Sequence, residues 1–172
     1  MVAGMAGMRG GYAFACWLLI AALVVALDQW TKGLASNSLT LYRPVELTGW
    51  LNLTLAHNTG AAFSLLSDAS GWQRWFFVAI AVVVGALVMA WLWRTARHEW
   101  PQALALSLVL GGAVGNVADR LRLGYVVDFI DVHAGGWHWP AFNIADSAIS
   151  VGVVVLLLDA FLVAKARPDS GG

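Results

Sequence analysis

Long apolar stretches alternate with polar segments along the chain, and four of the stretches have the length of membrane-spanning helices. An α-helix rises about 1.5 Å per residue, so roughly 20 apolar residues cross a hydrocarbon core about 30 Å thick. The predicted spans are residues 12–30, 75–93, 103–118 and 144–164. We therefore predict a mainly α, polytopic membrane protein with four transmembrane helices, in which residues 1–172 form one membrane-embedded domain.

The third span differs from the others in its small residues. Gly111, Gly112 and Gly115 lie close together in it. Small side chains let helices in lipid approach each other closely, so we expect another helix to pack on this surface.

A second pattern lies between the first two spans, where apolar and polar residues alternate with a period of two. Successive side chains of a strand point to opposite faces, so this alternation is typical of a β-strand with one apolar face. We predict a small extracytoplasmic β-sheet that lies on the membrane surface. The apolar-face positions are Val45, Leu47, Gly49, Leu51, Leu53 and Leu55.

Four spans place both termini on one side of the membrane, together with the short connection between the second and third spans. Residues 31–74 and 119–143 then lie on the opposite side. The two sides carry equal numbers of Lys and Arg, but those near the termini and in the short connection are packed into less chain and flank the spans directly. The positive-inside rule therefore predicts cytoplasmic termini.

The composition agrees with lipid as the main solvent. Hydrophobic residues make up 60% of the chain and charged residues 12%, with ten Lys and Arg against ten Asp and Glu. A soluble domain carries about 25% charged residues. Nucleic-acid binding is not expected, because it requires a clustered surplus of cations. The single cysteine, Cys16, excludes an intramolecular disulfide and a cysteine-based zinc site.

Polar and ionisable residues gather at one level of the predicted bundle. Such groups at the edge of the hydrocarbon are costly unless they are paired or functional. Their convergence predicts a single site at the outer ends of the helices. The residues at this level are Asp28, Lys32, His57, Asn58, Asn116, Asp119, Arg120, Asp128, Asn143 and Asp146.

Local pairing explains several of these residues equally well. Residues three or four apart on a helix are neighbours, and an Asn followed three residues later by an acid fits a helix N-cap. The local pairs are Asn143 with Asp146 as a cap, Asp28 with Lys32 as an ion pair, and Asn116 with Arg120 as a hydrogen-bonded pair.

Asp128 is harder to explain locally, because four apolar neighbours surround it and no cation is close in sequence. If Asp128 and Asp146 face each other, burial and mutual repulsion keep one of them protonated. Aspartic proteases use such a pair: the ionised carboxylate takes a proton from water and the protonated one polarises the scissile carbonyl. This chemistry needs neither a metal nor another cofactor.

The segment before the fourth span also contains Asp131, His133 and His138. We interpret Asp131 as a solvated loop residue and the histidines as surface residues of a wet loop. A metal site formed by the histidines with Asp128 and Asp131 is the alternative. Their spacing matches no helix-borne zinc pattern, so no metal is predicted.

Five motifs occur in order along the chain: DQWTK from Asp28, HNTGAAFS from His57, GGAVGNVADR from Gly111, VDF from Val127 and FNIADS from Phe142. With these motifs, its length and its span count, the chain closely resembles the signal peptidase II family, the lipoprotein signal peptidases of the bacterial cytoplasmic membrane. The resemblance covers about residues 28–159.

The resemblance implies an aspartic endopeptidase of the inner membrane that removes the signal peptide from diacylglyceryl-modified prolipoproteins, cutting just before the lipidated cysteine. Its catalytic aspartates fall on Asp128 and Asp146. It also implies an active site near the outer face, a lid helix at residues 65–75 and binding of the inhibitor globomycin. We expect a monomer in contact with membrane lipid. The family's substrate-site positions match Asn58, Asn116, Arg120 and Asn143, and its positioning residues match Asp28, Lys32 and Asp119.

A small proton- or cation-coupled transporter is the alternative from another class, because ion pathways are also built from intramembrane Asp and Asn residues. A pathway requires polar residues through the whole membrane, whereas the middle of spans one, two and four is apolar. A membrane scaffold without enzymatic activity is the third possibility.

Overall fold

Four long helices and a small sheet make up the described part of the chain, which in the computed structural model is residues 2–60, 71–96 and 99–166. The helices are α1 (Val2–Ser38), α2 (Trp72–Thr95), α3 (Trp100–Arg122) and α4 (Ile144–Ala166). The strands are β1 (Val45–Thr48), β2 (Leu51–Asn58), β3 (Val126–Ala134) and β4 (Trp137–His138).

The central helix of the bundle is α3, which packs against α4, α1 and α2. Half of its span is buried inside the protein, whereas the spans of the other three helices are mostly exposed. Their exposed side chains are apolar: Leu19, Val82 and Leu157 are 69%, 60% and 66% exposed. All four helices are long and apolar enough to cross a membrane, so the predicted mainly α class with four transmembrane helices is confirmed.

The glycines of α3 bring the neighbouring helices into backbone contact, as predicted. A Cβ atom at Gly111 would lie 2.7 Å from the carbonyl oxygen of Ala21 in α1. A Cβ atom at Gly112 would overlap the carbonyl oxygen of Ala145 in α4. Close backbone approach of this kind gives the dispersion contact that holds helices together in lipid.

The first helix continues beyond the predicted span, which ends at residue 30, to Ser38. Asp28 and Lys32 therefore lie inside a continuous helix and not at its end. Ala35 is buried in this extra length, so the helix retains packing contacts beyond the predicted boundary.

The sheet is antiparallel throughout and has the order β1-β2-β3-β4. The predicted alternating segment forms two strands, β1 and β2, because the chain turns at Gly49 and Trp50. In register, Asn52 faces Asp131 and Asn58 faces Val126 across β2 and β3. Strands β3 and β4 were not predicted, since the apolar sequence of β3 lacks a clear period of two.

The sheet is tied to the start of α4 by backbone hydrogen bonds. The Phe142 N–H donates to the Ile130 carbonyl, and the Ile130 and Phe129 N–H groups donate to the Phe142 carbonyl. These bonds place the start of α4 beside the middle of β3, which is itself paired with β2. Most of the predicted lid helix at residues 65–75 lies outside the described residues, and α2 begins at Trp72.

Candidate active site

Asn143 and Asp146 cap the start of α4 reciprocally. The Asp146 N–H donates to Asn143 Oδ1 at 2.9 Å, and the Asn143 N–H donates to Asp146 Oδ2 at 3.3 Å. Asp28 of α1 adds a third contact, accepting the Ala145 N–H at 2.9 Å. The local interpretation of the pair as a helix cap is therefore correct. The cap also fixes the Asp146 carboxylate in one position.

The same Asn143 side chain connects the cap to Asp128 on β3. Its Nδ2 donates to Asp128 Oδ1 at 2.7 Å, and Asn58 Nδ2, from the end of β2, donates to Asp128 Oδ2 at 3.0 Å. Asp128 is 2% exposed and Asp146 is half-buried. One asparagine thus touches both carboxylates of the predicted pair.

The electrostatics of Asp128 are those of a coupled pair. Burial, and after it the nearby charge of Asp146, raise the pKa of Asp128 to about 7. Hydrogen bonds from Asn58 and Asn143 and the positive charge of Lys32 oppose the rise without cancelling it. At neutral pH, Asp128 is therefore partly protonated.

Behind the pair, Lys32 forms the centre of a buried charge cluster. Its Nζ lies 2.8 Å from Asp28 Oδ2 and 2.9 Å from Asp119 Oδ2, and it donates to Asn116 Oδ1 at 3.0 Å. The predicted ion pair between Asp28 and Lys32 is present, but it is buried and shared with Asp119. Because a lysine only donates, this contact also identifies Oδ1 as the Asn116 atom that faces it.

The orientation of the Asn116 amide determines which of its atoms faces Asp146. Its Oδ1 is occupied by Lys32 and by Asn143 Nδ2 at 3.2 Å, which leaves its Nδ2 to donate to Asp146 Oδ1 at 2.7 Å. The predicted hydrogen bond between Asn116 and Arg120 is present, but it runs from Arg120 Nη1 to the backbone carbonyl of Asn116, at 3.5 Å, and not between the two side chains.

Sequence reasoning missed Gln29, which joins α1 to α3 beside the cluster. Its Nε2 donates to Asp119 Oδ1 at 2.8 Å, while its Oε1 accepts from Arg122 at 3.1 Å. Asp119 also accepts the Val127 N–H at 3.1 Å and so holds the start of β3. An uncharged amide inside an apolar helix, next to an acid, is the signal that could have identified Gln29.

A cavity of about 560 Å³ opens beside these residues. Arg120 lies at its polar end: one Nη donates to the Gly60 carbonyl at 3.1 Å, and the guanidinium lies over the ring of Phe77 at 5.1 Å. The buried Nε of Arg120 has no partner among the described residues. The predicted site residues that line the cavity are Asn58, Asn116, Arg120 and Asp146.

Asp131 does not lie in a solvated loop, so that interpretation was wrong. The two histidines lie on strands and not in a loop, but His138 is exposed at the surface, as predicted. Asp131 is 6% exposed on β3 and accepts hydrogen bonds from Asn52 and from His138. His133 lies 3.1 Å from Asn52 Oδ1. They form a polar cluster because the register of three strands brings them to neighbouring positions. Within the described residues, no three His, Cys, Asp or Glu side chains are arranged to hold a metal ion.

Fold and site together define a polytopic membrane protein with two coupled carboxylates at one end of its helix bundle. Residues 20–162 match the sequence model of the family described as Signal peptidase (SPase) II. The chain belongs to that family of membrane peptidases.

Other bacterial proteins are similar to this chain over nearly its whole length. The lipoprotein signal peptidase of Acinetobacter baumannii is 52% identical over 154 residues, which cover 90% of this chain and 88% of that one. That of Pseudomonas putida is 52% identical over 160 residues, covering 92% and 94%. A bacterial membrane enzyme solved by the in meso method at 2.3 Å resolution superposes with a TM-score of 0.80 at 31% identity, covering 92% of this chain and 94% of that chain.

Proposed function

We propose that the protein removes the signal peptide from diacylglyceryl-modified prolipoproteins, cutting immediately before the lipidated cysteine, with Asp128 and Asp146 as its catalytic residues. The observation that supports the proposal is that the Asn143 side chain contacts both acidic residues. Its Nδ2 donates to the Asp128 carboxylate, and its Oδ1 accepts the Asp146 N–H. Similarity to the lipoprotein signal peptidases supports the substrate class.

In this mechanism one carboxylate is ionised and the other protonated. The ionised group takes a proton from water, the resulting hydroxide attacks the scissile carbonyl carbon, and the protonated group gives its proton to the carbonyl oxygen. Collapse of the tetrahedral intermediate then breaks the C–N bond, and a proton goes to the leaving amine. The pKa of Asp128, about 7, supports a neutral acid in the pair at physiological pH.

The cavity has the chemistry of a lipid-bearing peptide substrate. Its polar end is lined by the guanidinium side chain of Arg120 and the amides of Asn58 and Asn116, which suit a peptide backbone. Its walls continue along α4 past Ile149 and Val151, within the membrane-spanning segment. A substrate held by acyl chains would therefore bring its scissile bond to the level of the carboxylates without crossing the bilayer.

We place the protein in the bacterial inner membrane as a single-domain monomer with both termini in the cytoplasm and the active site near the outer face. The distribution of basic residues supports this orientation. The Lys and Arg residues near the termini and between the second and third spans flank the spans directly and occupy less chain than those on the other side.

The test is cleavage of a diacylglyceryl-modified prolipoprotein by purified protein in detergent, followed as a gel shift. We expect wild-type cleavage to resist EDTA, to be inhibited by globomycin and to vanish in Asp128→Asn and Asp146→Asn. Asp159→Asn is the matched control, since Asp159 is also a half-buried carboxylate of α4 that accepts an amide, from Gln102 at 2.8 Å.

Full activity in either variant would refute the catalytic role of Asp128 and Asp146 as a pair. Loss of activity with EDTA would instead point to a metal. Absence of cleavage by the wild type, with proton or cation flux in vesicles that depends on Asp128, would favour the transporter.

A further inference from the structure

A second polar cluster lies on the sheet, separate from the carboxylate pair. It consists of Asn52 on β2, Asp131 and His133 on β3, and His138 on β4. Asn52 Nδ2 lies 3.0 Å from Asp131 Oδ2, and His138 Nδ1 lies 2.8 Å and 3.0 Å from the two Asp131 oxygens. The His133 and His138 rings are stacked with centroids 5.0 Å apart. None of these residues contributes to the proposed chemistry.

Asp131 is an ionised acceptor at the centre of this cluster. Burial alone would raise its pKa, but hydrogen bonds from Asn52 and His138 and the charges of the two histidines hold the pKa of Asp131 below its ordinary value. An ionised carboxylate only accepts hydrogen bonds, so His138 Nδ1 must carry a proton and donate it.

Strand β4 needs such a contact because it has only two residues. It pairs with β3 through His138 opposite His133 and Trp137 opposite Ala134. A strand this short contributes few ladder hydrogen bonds, so one side-chain bond to a buried carboxylate is a large part of what holds it.

The chain that follows β4 forms a wall of the active-site cavity. Residues 139–142 all line it. This wall is held at its far end by the backbone bonds between Phe142 and Ile130, and at its near end by the Trp139 N–H bonded to the Val132 carbonyl. His138, next to Trp139, adds the side-chain bond to Asp131.

We propose that Asp131 is a positioning residue that holds His138, and through it the cavity wall of residues 139–142, in the place the substrate requires. This inference rests on the proposed function, because the substrate it concerns is the one proposed above. It predicts an effect on substrate binding and not on the reacting carboxylates, because neither Asp131 nor His138 bonds to the groups that hold Asp128 and Asp146.

The first measurement compares kcat and KM of Asp131→Asn, His138→Gln and the double variant with the wild type on the diacylglyceryl-modified prolipoprotein. In Asp131→Asn, the side chain loses its negative charge and one of the two oxygens that His138 Nδ1 contacts, so the bond to His138 is weakened. We expect KM to rise about three- to tenfold with kcat within twofold, and the double variant to be no worse than the worse single variant, as for residues in direct contact. Glu46→Gln is the control, because it removes the same charge from an exposed residue that faces Asn52 in register.

The second measurement is amide hydrogen exchange of peptides that cover residues 137–143, which reports on the wall without any substrate. Exchange should be faster in Asp131→Asn and in His138→Gln than in the wild type and in Glu46→Gln. If Asp131→Asn does not fold, His138→Gln carries the test, because its side chain is half exposed.

Unchanged exchange of this segment, an unchanged KM, or a loss confined to kcat would each overturn the positioning role. Wild-type cleavage is measured first, so the two proposals fail separately. A wild type without cleavage refutes the proposed function, and the exchange experiment then still decides whether Asp131 holds the wall.

Discussion

At the scale of single residues, the site is organised by asparagine amides that face carboxylates. Each amide carries donors and an acceptor, so its neighbours decide which end faces which group. Lys32 fixes Asn116 with its Nδ2 toward Asp146, and the α4 cap fixes Asn143 with its Nδ2 toward Asp128. Two buried acids that would otherwise repel each other thereby receive donors from fixed directions.

The pH dependence of cleavage follows from the pKa of Asp128. Because this pKa is raised to about 7, the protonated form persists to neutral pH, and above it both carboxylates become charged and the proton donor is lost. We expect kcat/KM to fall on the alkaline side with a midpoint near pH 7. The measurement is a pH–rate profile of the purified wild type on the prolipoprotein substrate.

Asp159→Asn serves as the control and should give the wild-type profile. A rate that stays constant to pH 9 would contradict the protonated role of the pair. It would show that catalysis needs no acid with a raised pKa.

At the scale of elements, α3 positions the site by letting two helices approach its backbone. Asn116 and Asp119 lie on this helix, one turn after Gly112 and Gly115 respectively. Gly115 also leaves room for the Asp28 carboxylate, because a Cβ there would lie 2.6 Å from Asp28 Oδ2. The small-residue surface was predictable, because it is a local property of the sequence. Which helix lies against which glycine was not, since any apolar helix would suit such a surface.

Gly112→Ala tests this packing. The added methyl group would overlap the Ala145 carbonyl and lie 2.7 Å from Ile149 Cγ1, so α4 must move away from α3. We expect a loss of about 1–3 kcal/mol in the free energy of unfolding and a larger loss of activity, because α4 carries Asp146. Thermal unfolding in detergent and the cleavage assay measure the two effects.

Gly85→Ala is the matched control, since a methyl group there meets only Leu110 Cδ1 at 4.0 Å. It should be neutral or stabilising by about 0.5–1 kcal/mol, the gain of Ala over Gly in a helix. Equal effects of the two substitutions would show that the close approach of α3 and α4 does not matter.

At the scale of the whole molecule, the sheet and the polar ends of the helices lie at one end of the bundle, and the connection between α2 and α3 lies at the other. In the proposed topology, the site is therefore reached from one side of the membrane. The sheet contributes to the site directly: Asn58 ends β2 and Asp128 lies in β3.

The orientation is tested with single cysteines in a Cys16→Ser background. Glu46 lies on β1, Glu99 lies between α2 and α3, and both are exposed. A membrane-impermeant maleimide should label Glu46→Cys in intact cells and Glu99→Cys only after permeabilisation. The reverse pattern would place the active site on the cytoplasmic side and refute the proposed topology.

Features that depend on neighbours along the chain could be predicted from the sequence. Four spans were predictable because each helix satisfies its own backbone and meets lipid with its own side chains. The Asp28–Lys32 ion pair and the Asn143–Asp146 cap were predictable because residues three or four apart share a helix face or a helix end. Asp128 was singled out because no cation lies close to it in sequence, and the motifs of the family led to the same residue.

Contacts between residues far apart in the chain could not be predicted and are known only from the folded structure. Asn58 and Asp128 are 70 residues apart, Asn52 and Asp131 are 79 apart, and Gln29 and Asp119 are 90 apart. Contacts across strands depend on register, and a shift of one residue turns every side chain to the opposite face. For that reason Asp131 looked like a loop residue in the sequence and is a buried acceptor in the fold.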